Sequence, residues 1–361
     1  MRYTVLGKTG LRVSELALGT VTFGEDWGWG APKETSAQIL DLYAEAGGNL
    51  IDTADHYTGG TSEEFLGELL KGRRDRFVLT TKYTLQTDTA DINSAGNHRK
   101  NLVSSIEASL RRLQTDYIDL LWVHAHDTLT PVPEIMRTLD DQVRAGKIHY
   151  VGIANWPAWE VAQANTLAEL RGWSPFAALQ IRYNLLERGP ERDLLPMARQ
   201  FDLPVLAWGA LSEGLLTGKY LTGGTGRLTV APRDHNSAPG TDTLVREVVA
   251  IAEQGGWTPA QVALAWLRSR PGVVIPILGA TKEHQIKDTL GSVDVSLTDE
   301  HLDRLDTLSR IDLGYPHDLL RDPVTVTDMY GKNWADIEDR RTTTRRGVSD
   351  DAFVPMPRTS I

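Results

Sequence analysis

Asp52, Tyr57, Lys82 and His124 each close or closely follow a short apolar run: NLIDTA from Asn49, FVLTTKY from Phe77 and YIDLLWVHA from Tyr117. A carboxylate, a phenol, an amine and an imidazole at the same end of successive strands would converge on one mouth. Such a set suits proton delivery to a carbonyl oxygen. A tyrosine hydroxyl is a poor acid at neutral pH, with an ordinary pKa of about 10. A neighbouring ammonium favours its ionised form, and a carboxylate paired with the lysine holds that ammonium in place. Tyr57 is then a usable proton donor, and the His124 imidazole a group that hydrogen-bonds and orients the same oxygen. None of the four is an activated serine- or cysteine-type nucleophile, and none supplies a hydride, so a bound cofactor is expected to complete the reaction. Any one of them alone reads more simply as a strand-terminal polar group satisfying loop backbone. Four at matching positions favour chemistry.

The elements that must position them repeat along the chain. Apolar runs end or lie at LALGT (to Thr20), NLIDTA, FVLTTKY, YIDLLWVHA, IHYVGIAN (from Ile148), AALQIRYN (from Ala177), PVLAWGA (from Pro204) and VVIPILGA (from Val273). Between them lie segments of helical period at 34–46, 62–71, 98–113, 132–145, 157–171, 190–201, 241–254, 259–269 and 282–290. Strand followed by helix eight times predicts parallel strands with crossover helices closed into a (β/α)8 TIM barrel. A doubly wound sheet would stop earlier and open on a glycine-rich first turn, and no G-x-G-x-x-G follows the first run. Residues 2–15 read as a hairpin turning at Lys8-Thr9-Gly10 that could plug the barrel floor. Residues 222–240 read as a long Gly- and Pro-rich loop, and 314–361 as a polar, irregular C-terminal extension. The division is therefore 1–313 as the barrel and 314–361 as an extension packing on the barrel or at an interface, where it could join copies into a homo-oligomer.

Composition narrows the partners. With 38 basic and 48 acidic residues among 361, the formal charge is −10, spread along the chain. That argues against nucleic acid or an anionic membrane as a partner. No cysteine is present, so thiolate metal sites, disulfides and cysteine nucleophiles are excluded. No apolar run approaches a membrane span and the N-terminus lacks a signal pattern, so the expected location is cytoplasmic. His124-Ala-His126 has strand spacing that could aim two imidazoles one way, but no third ligand has metal-site spacing, and no metal is expected.

The motifs around these residues resemble the aldo-keto reductase superfamily from about Arg2 to about Leu320. They are LGKTGLRVSELALGT with Phe23-Gly24, NLIDTADHYTGGTSEEFLGELL, FVLTTKY, SLRRLQTDYIDLLWVHAHD, LDDQVRAGKIHYVGIANW, LQIRYNLLER, GLLTGKY and LGATKEHQIKDTL. The resemblance implies NADPH-dependent, metal-free reduction of an aldehyde or ketone. Tyr57 would be general acid, Lys82 would lower its pKa, Asp52 would pair with Lys82, and His124 would orient the carbonyl. It further implies Gly19 and Thr20 near the nicotinamide ribose, Asn155 and Gln180 on the carboxamide, and Trp208 stacked on the nicotinamide. Gly209, Leu211, Ser212, Glu213, Lys219 and Arg227 would line the pyrophosphate and its covering loop. Gly279, Thr281, Lys282, Gln285 and Asp288 would hold the adenosine end, with Thr281 and Lys282 suited to a 2′-phosphate that selects NADP over NAD. The sequence departs from the family pattern at Ala154, Ala210 and Asp288-Thr289, where serine, proline and Glu-Asn are usual.

Loops at the active mouth set substrate choice in such barrels. Ten tryptophans are an unusual count. Trp27, Trp29 and Trp156 are placed around an apolar substrate pocket, and Trp122 and Trp266 in the core. The main expectation is a carbonyl reductase acting on a small molecule. The alternatives are reduction of a conjugated C=C in a sugar or polyketide intermediate, which a carboxylic acid in place of His124 would suit better, and a slow-turnover NADPH-sensing regulatory subunit.

Overall fold

Short β-branched runs alternate with amphipathic segments, and the computed structural model turns each pair into a strand and a returning helix. It describes residues 1–230 and 239–336. The strands are β1 (Tyr3–Val5), β2 (Arg12–Ser14), β3 (Ala17–Gly19), β4 (Leu50–Asp52), β5 (Val78–Tyr83), β6 (Ile118–Val123), β7 (Ile148–Ala154), β8 (Phe176–Arg182), β9 (Val205–Trp208) and β10 (Val274–Leu278). The helices are α1 (Lys33–Glu45), α2 (Thr61–Leu69), α3 (Arg99–Leu113), α4 (Val132–Arg144), α5 (Ala158–Arg171), α6 (Leu194–Gln200), α7 (Arg227–Val230), α8 (Thr241–Gly255), α9 (Pro259–Arg268), α10 (Glu283–Leu290), α11 (Asp299–Ser309), α12 (His317–Arg321) and α13 (Pro323–Tyr330). Strands β3 to β10 close a parallel barrel, sealed where Ile277 of β10 pairs with Ala17 of β3. This is the (β/α)8 architecture.

The barrel has two apolar layers. Outside, strand side chains such as Leu18, Leu79, Val123 and Leu179 pack under helix stripes such as Leu102 and Ile106 of α3. Inside, Leu50, Leu120, Trp122, Leu206 and Ile275 meet Leu6 and Val13 of the β1–β2 hairpin, which close the floor. Trp122 is fully buried, and a side chain at Gly152 would come within 2.4 Å of its ring. Glycine is therefore required there, and the β7–β8 register shifts at Val151/Gly152. The floor filled by apolar groups leaves the opposite end for polar ones.

Helix starts follow local chemistry. Thr258 caps α9 and Thr298 caps α11, each in a reciprocal capping box. Helix α11 lies where only a repeat end is expected. Its signal was Thr298 before Asp299-Glu300 with Leu305 on the inner face. The extension, expected to be irregular, begins with two short helices, α12 and α13. After a short helical turn at Trp334–Asp336, the extension from residue 337, including DRRTTTRRG, and residues 231–238 of the long loop lie outside the described residues. Among the described residues no helix is long and apolar enough to cross a membrane.

Candidate active site

Lys82 ends up fully buried near the C-terminal end of β5, an expensive place for an ammonium unless it is paired. Its Nζ donates to Asp52 Oδ2 at 2.5 Å and to the Thr53 carbonyl at 2.7 Å. Asp52, at the end of β4, also accepts at Oδ1 from Thr80 (2.9 Å) and Gln180 (2.8 Å). Nζ also lies 4.8 Å from the centroid of the Tyr57 ring. Burial favours the neutral amine, but Asp52 and Tyr57 outweigh it and hold Lys82 above its ordinary value. It is a cation fixed by two hydrogen-bond partners with Tyr57 alongside.

Tyr57 opens the short helical turn after β4 and remains partly exposed. Burial pushes its phenol up; Lys82 pulls it down, Asp52 pushes it up again, and the net shift is upward. The expected lowering by Lys82 is present as one contribution but does not dominate. His124 follows β6, its ring 6.0 Å from that of Tyr57 in an edge-on arrangement. Burial first, then Lys82 and His56, drive its pKa far down, so it is a neutral imidazole. An acid, a buried cation and a neutral hydrogen-bonding ring thus share one mouth.

Two neighbours of Tyr57 were not among the expected site residues. Asp55 is buried, and burial followed by the Glu63 charge raises it to about 8. His56 lies with its ring 5.0 Å from Tyr57, 5.1 Å from His124 and 6.0 Å from Trp27, and burial and Lys82 lower it to about 4. The available signal was the pair of titratable residues directly before Tyr57 in DTADHY.

The other expected residues fall into three sets. Around the mouth, Asn155 adopts a left-handed backbone (φ 56°), donates to the His124 carbonyl (2.9 Å) and accepts from Trp208 Nε1 (3.0 Å). Its amide and that of Gln180 are thus already engaged within the chain, each with further hydrogen-bonding capacity. Thr20 is buried beside Gly19 with its hydroxyl on the Asp52 carbonyl, and Arg182 lies over Trp208 and 3.6 Å from Glu213. Gly209, Leu211, Ser212 and Lys219 follow β9 on one loop, in which Ser212, Glu213 and Gly214 all have positive φ.

Farther out, Gly279 leads into a surface cleft of about 480 Å³ lined by Thr281 and Lys282 before α10, by Glu283, His284 and Lys287 on it, and by Thr35 and Gln38 of α1; Lys287 is paired with Glu283 at 3.1 Å. Gln285 accepts from the Thr281 backbone at 2.8 Å. Asp288 instead points at α9, accepting from Thr258 (2.9 Å) and Gln261 (3.1 Å), so its carboxylate secures a helix start.

In the third set, Trp27 and Trp29 stand together with rings 5.7 Å apart, and the Arg227 guanidinium caps Trp29 at 4.2 Å. Trp156 is not with them: it is buried, edge-on to His126 and Phe176, within the outer core. His126 is 2.5 Å from Glu160, and among the described residues no group of three His, Asp or Glu could hold a metal ion. Trp122 and Trp266 are both fully buried.

The same architecture and motifs are shared with known proteins. Residues 15–310 match the aldo/keto reductase family, most of the chain. An aldo-keto reductase of Aspergillus calidoustus is 36% identical over 336 residues, covering 88% of this chain and 85% of that protein. A norsolorinic acid reductase of Emericella nidulans is 37% identical, covering 85% of this chain and 81% of its own length. A putative aryl-alcohol dehydrogenase of Saccharomyces cerevisiae is 34% identical, covering 90% of this chain and 91% of its own. The chain belongs to the aldo/keto reductase family, whose members are oxidoreductases acting on carbonyl substrates.

Proposed function

We propose that the protein is an NADPH-dependent reductase of aryl aldehydes or ketones, working at the mouth formed by Asp52, Tyr57, Lys82 and His124. The observation that carries this is the fully buried Lys82 locked to Asp52, with its Nζ 4.8 Å from the centroid of the Tyr57 ring. Nothing in the core packing requires a buried ion pair at that depth, and breaking such a pair is costly.

A bound reduced nicotinamide would supply the hydride to the carbonyl carbon. The residues present fit such a cofactor. Trp208 offers a ring held by Asn155, and Lys219 lies on the loop beyond it. Lys282 and the Thr281 hydroxyl sit at the start of α10 in an open cleft, where a phosphate finds positive charge and helix-end N–H groups, while Lys287 farther along is already paired with Glu283. That donor set suits a 2′-phosphate and therefore NADPH.

In this reading the Tyr57 hydroxyl donates its proton to the carbonyl oxygen as the carbon becomes tetrahedral. The phenolate left behind faces the Lys82 ammonium, which stabilises it. His124, neutral and unable to repel that ammonium, donates a hydrogen bond to the same oxygen and fixes its approach. Solvent then restores the proton to Tyr57. The Trp27 and Trp29 pair beside the mouth favours a flat aryl body, in keeping with the relative named as a putative aryl-alcohol dehydrogenase.

The test is loss of NADPH absorbance with benzaldehydes, alkyl aldehydes, ketones and enones, run with wild type and Tyr57→Phe. Reduction of aryl carbonyls that collapses in Tyr57→Phe is expected. Equal, negligible rates for both proteins on every substrate, with NADPH still bound tightly, would overturn the proposal. Preferential reduction of the enones would instead move the activity to C=C bonds.

A further inference from the structure

The rings at the mouth form a triangle with a spare corner. Tyr57, His124 and His56 have centroids 5.0, 5.1 and 6.0 Å apart pairwise, so three side chains able to hydrogen-bond pack against one another at the mouth. A single carbonyl oxygen uses two of them, the proton donor Tyr57 and the orienting His124. His56 is left beside both, on the side of Trp27, whose ring is 6.0 Å away. From there the wall continues to Trp29 and its Arg227 cap. The arrangement of rings therefore gives both a second polar contact point and the direction in which the body of the substrate lies.

Resting on the reductase reading above, we propose that His56 is a specificity-determining residue that hydrogen-bonds a second substrate oxygen, so that the preferred substrates are aryl carbonyls carrying a hydroxyl on the ring carbon next to the carbonyl. The two oxygens of such a compound are roughly 2.7 Å apart, a hydrogen-bond length. That spacing lets adjacent imidazoles take one oxygen each. The aryl ring then extends along Trp27 and Trp29.

The chemistry of His56 favours a hydroxyl over an anion. Burial and Lys82 keep it neutral well below pH 7, so it exchanges hydrogen bonds without offering charge. A hydroxyl can both donate and accept, and so suits either tautomer of the ring. The nearest ionisable neighbour on the inner side is Asp55, with Oδ1 3.9 Å from His56 Nδ1, beyond hydrogen-bond range. Since Nδ1 lies on that buried side, the other edge of the ring is the one available to substrate.

The experiment compares kcat/KM for 2-hydroxybenzaldehyde, 4-hydroxybenzaldehyde and benzaldehyde at pH 7 in wild type, His56→Phe and His56→Asn, with His56→Ala in reserve should the phenylalanine variant fail to fold. Each protein is read as its own ratio of the 2-hydroxy compound to the other two, so general losses of activity and the intrinsic reactivity of the aldehydes divide out. The expected wild-type ratio exceeds that of His56→Phe by roughly three- to tenfold, the worth of one neutral hydrogen bond, and His56→Asn recovers part of it. A structural role alone would not move this ratio. Identical ratios in wild type and His56→Phe, or a wild type indifferent to the hydroxyl while reducing all three aldehydes, would overturn the assignment of His56 and leave the reductase reading standing. A wild type that reduces none of them overturns both.

Discussion

The mouth of the barrel is built in two contrasting halves. On the β4–β6 side the charges are buried and already paired: Lys82 is inaccessible, and Asp52 accepts from Lys82, Thr80 and Gln180 at once. On the β9–β10 side the cationic groups, Lys219 and Lys282, are partly or fully exposed on a loop and at a helix start. The first half has its desolvation cost offset inside the chain before any ligand arrives. The second leaves its ammonium groups open to solvent, where an anionic ligand would meet them in the proposed function. In the proposed function, the difference would separate making the proton transfer possible from holding what takes part in it.

The sharpest break between the halves is expected in turnover. Tyr57→Phe removes the transferable proton and should lower kcat by about 10²–10⁴-fold, while the affinity for NADPH, read by fluorescence titration, stays close to wild type. A comparable loss of affinity would mean that the two halves are not separate.

Stability should divide the same way. Asp52→Ala strands the buried Lys82 ammonium and should cost about 3–5 kcal/mol in urea unfolding. Lys282→Ala, at an exposed position, should stay within about 0.5 kcal/mol. Similar costs at both positions would contradict the contrast in burial.

Affinity should reverse the order. Lys282→Ala is expected to weaken NADPH binding by about three- to tenfold, as for one screened charge-assisted contact, with little change for NADH. Equal losses for both nucleotides would place the 2′-phosphate elsewhere.

The smallest effect concerns pH. Asp55 is raised to about 8 by burial and Glu63, so the folded chain holds a proton that the unfolded chain releases near the ordinary carboxylate pKa. Stability from this group is full at low pH and is lost as pH rises toward 8. His56 and His124 are lowered and act oppositely, an effect that has mostly faded by pH 7, where the unfolded imidazoles are largely neutral, so the interval from 7 to 8 reports chiefly on Asp55. Across it, wild type should lose about 0.7 kcal/mol, roughly a degree in Tm, and Asp55→Asn should be flatter. Parallel slopes in the two proteins would assign the titration to another group.

Much of this was legible in the chain. Apolar runs ending in Asp52, Lys82 and His124 already indicate one face of a parallel barrel, because strand-helix alternation is a local pattern that closure only organises. The hairpin over 2–15 was legible for the same reason, as was the burial of Trp122 and Trp266. Helix α11 was missed because its capping signal lay past the eighth repeat, and the two short helices of the extension carry too few turns for periodicity to register.

What the sequence determined by itself was the set of groups and the order in which strands present them. Which groups touch was decided by the tertiary structure. Trp156, one residue past Asn155, turned into the outer core against Phe176, whereas Trp27, far from the strands in sequence, came to rest beside His56. Asp288 was drawn to the cap of α9, and Tyr57 acquired a net upward shift that its neighbour Lys82 alone would have reversed. The reason is common to all four. Side-chain facing, burial and the balance between desolvation and charge depend on what lies across the barrel, at separations in sequence that local spacing does not encode.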